Sequence, residues 1–123
     1  MTENPAGQIG HSIGFVVAED ESLLREHLVA RIQACGPDFQ CLGTAADGED
    51  ALMLINSVMP DILVTDIRMP VLTGLELIEQ ARRISPTMGI IIVSGYGDFQ
   101  YAQTAMRHGV SDYVLRPVNS GKL

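Results

Sequence analysis

Positive charge and cysteine are both scarce in this chain. Its 123 residues carry 8 lysines and arginines against 15 aspartates and glutamates, a net charge of −7 with a pI near 4.7. That balance argues against nucleic-acid binding by this segment, because phosphate contacts need clustered positive side chains. Cys35 and Cys41 are the only cysteines, with no CxxC and no neighbouring histidine pair, so free thiols in a reducing cytoplasm are expected. His11, His27 and His108 are scattered and suggest no zinc site. No apolar run approaches the length that spans a bilayer. Residues 1–12 lack the basic region and apolar stretch of a secretory signal, and with Pro5, Gly7 and Gly10 they read as a flexible leader. There is no P-loop and no GxGxxG, so a nucleotide site is not indicated. Internal repeats and low-complexity tracts are absent as well.

What is present is a short, apolar, globular pattern. Hydrophobic residues make up 46% and charged residues 19%. This is too apolar for a disordered chain and suits one domain built on a sheet buried on both faces. Short β-branched runs alternate with helical spacing. Ile13–Ala18 reads as a strand, and Ser22–Ala34 as a helix with Leu24, Leu28 and Ile32 on one face, stopped by Gly36-Pro37. Cys41–Ala45 reads as a second strand, and Asp47 as the cap of a helix facing inward through Leu52, Ile55 and Met59. Ile62–Thr65 reads as a third strand, apolar nearly throughout, and Ile90–Val93 as the fourth and most apolar. Between them lies a helix with Leu75, Ile78, Ala81 and Ile84 on one side. Asp98 opens a fourth helix that Gly109 stops, and Tyr113–Leu115 is a fifth strand. Strict alternation with short connections implies a parallel sheet, right-handed crossovers and helices on both faces.

In such sheets ligands bind beyond the carboxyl ends of the strands. Strand one ends in Glu19-Asp20-Glu21, strand three in Asp66, strand four in Ser94 and strand five in Arg116. Singly, each has an ordinary explanation: Asp20 as a helix cap, Asp66 as a loop carboxylate, Ser94 as a turn residue, Arg116 as a solvated charge. Together they outline a phosphoryl pocket. Carboxylates gathered in one concavity repel unless a cation intervenes, and an all-oxygen anionic set suits Mg²⁺ or Mn²⁺. A hydroxyl and a guanidinium on the opposite rim supply a donor and a positive charge to the same group.

The segments VVAEDE (Val16–Glu21), PDILVTDIRMPVLTG (Pro60–Gly74), IIIVSGYGDFQYA (Ile90–Ala102) and DYVLRPV (Asp112–Val118) resemble the receiver domains of bacterial two-component response regulators. The resemblance implies a flavodoxin-like (βα)5 doubly wound sheet of order 2-1-3-4-5, with residues 13–118 as the receiver domain. It implies that Asp66 takes a phosphoryl group from a histidine kinase. Asp20 would be a direct Mg²⁺ ligand and Glu19 its acidic neighbour, acting mainly through water. The backbone carbonyl of Arg68 would complete the protein ligands. Ser94 and Tyr113 would form the switch, Ser94 bonding the phosphoryl group and Tyr113 reporting it by rotation. The Arg116-Pro117 bond would be cis. No organic cofactor is expected, nor turnover of an independent substrate. SGYGDFQYA is most similar to receivers attached to AraC-type helix-turn-helix DNA-binding domains, which places the protein in the cytoplasm as a transcription regulator, away from membranes.

Two features depart from the family pattern. Arg116 stands where the family has lysine, and a planar fork does not reproduce a compact ammonium. An alternative therefore stays open: a receiver-fold interaction module that signals without phosphorylation. In addition, residues 119–123 (NSGKL) are only a stub, or linker, where receivers carry a fifth helix. A truncated or missing fifth helix would expose apolar surface beside strands one and five, so a homodimer through that side is expected. A phosphatase using Asp66 as nucleophile is weak, because position 68, where a second aspartate would serve as acid, is arginine.

Overall fold

The computed structural model describes residues 12–94, positions 103, 107 and 109, and residues 112–115. Its elements are β1 (Ile13–Ala18), α1 (Ser22–Gln33), β2 (Phe39–Ala45), α2 (Gly48–Val58), β3 (Ile62–Thr65), α3 (Gly74–Ile84), β4 (Gly89–Ser94) and β5 (Asp112–Leu115). The strands form one parallel sheet in the order β2-β1-β3-β4-β5. The alternation implied a parallel sheet, and the order is that of the flavodoxin-like α/β fold implied by the resemblance.

Every residue from Gly14 to Ala18 is buried, and successive side chains point to opposite faces. Phe15 and Val17 join Val64 and Val93 on one face, where Leu28, Val29 and Ile32 of α1 pack against them. Val16 and Ala18 join Leu63, Ile90 and Ile92 on the other, under Ala51 and Ile55 of α2 and Leu77, Ile78 and Ala81 of α3. A central strand covered on both sides has no polar face to spare, which is why these runs are almost unbrokenly apolar.

Several boundaries and faces differ from the sequence expectation. β2 begins at Phe39 rather than Cys41, because Phe39 and Gln40 already pair with Ile13 and Gly14. Met59 does not lie on the inner face of α2. It is the C-cap, in a left-handed conformation (φ 46°) and 53% exposed, while Gly48, Ala51 and Ile55 are the buried positions. In α3, Leu77 is fully buried, whereas Leu75 and Ile84 are half-buried at the margin of the core. No residue of α1 is fully buried, and Leu23 is 80% exposed.

Asp47 caps α2 as expected, its carboxylate accepting the Asp50 N–H at 2.8 Å. Both cysteines are free. Gly109 has the positive φ (74°) of a helix stop. Most of the fourth helix it would end lies outside the described residues. So do the leader, the loop after Ser94, Arg116, the Arg116-Pro117 bond and the stub at 119–123. The side chains of Ser94 and Tyr113 also fall outside them. No described helix is long and apolar enough to cross a membrane.

Candidate functional site

The register of the sheet builds the site. Ala18 of β1 pairs with Thr65 of β3, and the next hydrogen bonds continue the ladder past both strand ends. Asp66 N–H donates to Ala18 O at 3.0 Å, and Glu19 N–H to Ala45 O at 2.9 Å. Neighbouring strands lie about 4.8 Å apart, so the first residues beyond β1 and β3 emerge side by side. Carboxylate oxygens of Glu19, Asp20 and Asp66 lie within 4.8 Å of one another.

Asp66 is 4% exposed, and its Oδ1 accepts the Ile67 N–H at 2.7 Å. Its backbone is equally constrained. The Thr65 hydroxyl donates to the Asp66 carbonyl at 2.8 Å, and Gly74 N–H donates to Ile67 O at 2.7 Å. Glycine is required at position 74, since a Cβ there would meet the Asp66 carbonyl oxygen at 2.1 Å. The loop from β3 then enters α3 through a capping box in which Thr73 and Glu76 satisfy each other's backbone N–H groups.

Glu19 is 1% exposed. Its Oε2 accepts the Glu21 N–H at 3.0 Å, and its carbonyl oxygen accepts from Arg25 Nη1 at 2.8 Å. Burial pushes the Glu19 carboxyl up to about 8, opposed by the Glu21 N–H and reinforced by the charge of Asp66 and by hydrogen bonding with Asp66 and Asp20. Asp20 is exposed, and it is not the cap of α1. That position belongs to Glu21, which makes no side-chain cap bond. The Asp20 carboxylate is therefore directed to the acidic cluster rather than to helix initiation.

Asp20 also lines a pocket of about 390 Å³ with Arg68, Met69, Pro70, Thr73 and Leu75. Arg68 is exposed at its rim. The structure thus brings together Glu19, Asp20 and Asp66, with Arg68 beside them. Three residues given no site role from the sequence complete the frame: Arg25, which grips the Glu19 carbonyl, Thr65, and Gly48. A Cβ at Gly48 would lie 2.1 Å from Leu72 O, so α2 is pressed against the loop that follows Asp66. The Gly48 approach joins segments brought together only by the fold, whereas the Thr65 and Arg25 bonds are short-range and follow from how the chain turns as it leaves β3 and β1.

Hard oxygen donors at this spacing fit a divalent cation such as Mg²⁺. Doubly wound topology and an acidic pocket at the carboxyl edge of β1 and β3 define a receiver-type signalling domain. The comparison with known proteins agrees: the chain belongs to the response regulator receiver domain family, whose profile matches residues 15–123.

It is 34% identical over 108 residues to the transcriptional regulatory protein YesN of Bacillus subtilis, covering 88% of this chain and 29% of that protein. It is 37% identical over 108 residues to HptR, a transcriptional regulatory protein of Staphylococcus aureus, covering 88% and 42%. The chain therefore spans less than half the length of these curated relatives. Among solved structures, the receiver domain of AraT, a response regulator from Geobacillus stearothermophilus, superposes with a TM-score of 0.81 at 34% identity, covering 89% of this chain and 85% of that one. A LuxR-family DNA-binding response regulator from Staphylococcus aureus gives 0.77 at 34% identity, covering 84% and 85%.

Proposed function

We propose that residues 13–118 form a phosphoacceptor switch in which Asp66 takes a phosphoryl group from the phosphohistidine of a kinase. The observation that carries this reading is the convergence of Glu19, Asp20 and Asp66 within 4.8 Å at the strand tips of a receiver-family chain. In the transfer an Asp66 carboxylate oxygen forms a bond to phosphorus as the phosphorus–nitrogen bond breaks. The electron pair leaves with the imidazole, and an acyl phosphate remains on Asp66. The hydrogen bond from Ile67 N–H fixes the orientation of the attacking carboxylate.

Asp20, Glu19 and the Arg68 carbonyl would hold Mg²⁺, with Asp66 as a further ligand. The cation supplies charge neutralisation for the carboxylates and the phosphoryl oxygens. Ser94 and Tyr113 then carry the switch, and Arg116 provides the positive charge on the far rim. The domain modifies itself and turns over no independent substrate.

The relatives are transcriptional regulators longer than this chain. Together with the SGYGDFQYA segment, this supports a cytoplasmic regulator whose C-terminal region is an AraC-type DNA-binding domain. The test is treatment with acetyl phosphate or beryllofluoride in the presence of Mg²⁺, followed by mass analysis of the peptide carrying Asp66. A phosphoryl adduct on Asp66 is expected. An unlabelled, folded, Mg²⁺-loaded protein would overturn the proposal, and labelling restored by Arg116→Lys would assign the defect to that arginine.

A further inference from the structure

Arg25 reaches back from the first turn of α1 to the loop that carries the acidic pair. Its Nη1 donates to the Glu19 carbonyl at 2.8 Å, and its backbone N–H donates to the Glu21 carbonyl at 2.8 Å. Glu19 is thereby held at three points: its N–H on Ala45 O, its carboxylate on Glu21 N–H, and its carbonyl on the guanidinium. The peptide that Arg25 grips is the one joining Glu19 to Asp20. Asp20 is exposed, so little packing surrounds its side chain, and the backbone on either side, with its hydrogen bond to Glu19, sets where its carboxylate points. Arg25 is half-buried and lines a groove with Val29, Cys41 and Thr44, and its head group is on the Glu19 carbonyl.

We propose that Arg25 is a positioning residue for the metal pocket, fixing the Glu19–Asp20 peptide so that both carboxylates converge on Asp66 and a divalent cation. The proposal rests on reading the acidic cluster as a Mg²⁺ site. Its sign separates it from simple electrostatics. A guanidinium acting only through space repels Mg²⁺, so its removal tightens binding. A donor that orients the ligand loop does the opposite, because the freed peptide must be ordered again each time the cation binds.

The experiment is calorimetric titration of Mg²⁺ into the full chain and its variants, with thermal unfolding without metal as a separate measure of folding. Arg25→Met is expected to weaken Mg²⁺ binding about ten-fold, the scale seen when partners that orient metal ligands are removed. Arg25→Lys keeps the charge but loses the planar fork, so its affinity falls between that of Arg25→Met and wild type. Arg31→Met removes the same charge from the last turn of α1 and leaves the affinity unchanged. Unchanged or tighter binding in Arg25→Met overturns the proposal. If that variant does not fold, wild-type affinity in Arg25→Lys overturns it instead. Absence of Mg²⁺ binding by the wild type removes the reading of the pocket itself, and this inference with it.

Discussion

The carbonyl oxygen of Asp66 lies where a side chain at Gly74 would begin, 2.1 Å from an ideally placed Cβ. The first residue of α3 is thus packed directly on the backbone of the candidate phosphoacceptor, and helix and site cannot move independently. Gly74→Ala must displace backbone atoms rather than a pliable side chain. It should lower stability by about 2 kcal/mol or more, in the range of overpacking. Gly36→Ala is the contrast, since its Cβ would meet only the Phe39 ring at 3.8 Å. It should change stability by no more than ~0.5 kcal/mol, as surface substitutions do. Urea unfolding of the two variants checks the difference, and equal midpoints would refute the close approach.

Val71 carries a second kind of strain. It is β-branched, 73% exposed and held at φ 71°, in the left-handed region that L-residues avoid. Little burial is lost on truncation, so Val71→Gly should raise stability by about 1 kcal/mol despite glycine's greater unfolded-state entropy. A rise in Tm by calorimetry is the expected reading. A fall would mean that the exposed valine makes contacts worth more than the backbone strain.

Stability without metal should depend on pH through Glu19. Its folded pKa is raised from 4.5 to about 8, chiefly by burial. The folded state therefore binds the proton more tightly than the unfolded chain. This contribution is fully present below pH 4.5 and is lost as pH rises toward and through 8. The metal-free Tm should accordingly decline across that window, with a shallower slope in Glu19→Gln. Added Mg²⁺ should flatten the wild-type profile, because the cation stabilises the ionised carboxylates. Parallel slopes in wild type and Glu19→Gln would show that another group titrates.

Asp66→Asn removes both the acceptor and one of the repelling charges. It should abolish the acetyl-phosphate adduct while raising metal-free stability above pH 8, where Glu19 is largely ionised and the acidic cluster more highly charged. Mass analysis reads the first effect and thermal unfolding the second. An adduct persisting in Asp66→Asn would place the acceptor elsewhere.

Much of the fold was legible because each element carries its own signal. The apolar runs at Ile13–Ala18 and Ile62–Thr65 read as strands and are strands, and Asp47 announced the start of α2. The errors have a common cause. Met59 continues the helical spacing of Leu52 and Ile55, yet the next residue is Pro60, and the chain leaves the helix through a left-handed cap that turns Met59 to solvent. Phe39 and Gln40 follow directly on the Gly36-Pro37 stop, and they are strand because Ile13 and Gly14 offer them partners. At the site, the acidic residues could be read as strand-tip residues. Nothing local distinguished buried Glu19 from exposed Asp20, because that depends on which way the loop turns after its last ladder bond.

The sequence alone determined that Glu19, Asp20 and Asp66 share one edge of a sheet, since periodicity sets strand ends and parallel topology sends those ends the same way. Only the tertiary structure decided how the acids are held. Parallel register fixed the alignment of Ala18 with Thr65, the Gly74 contact locked the Asp66 backbone, and Arg25 folded back on the Glu19 carbonyl. The register joins residues distant along the chain, and the two shorter-range contacts depend on how the loops turn once the sheet has brought its strands into line.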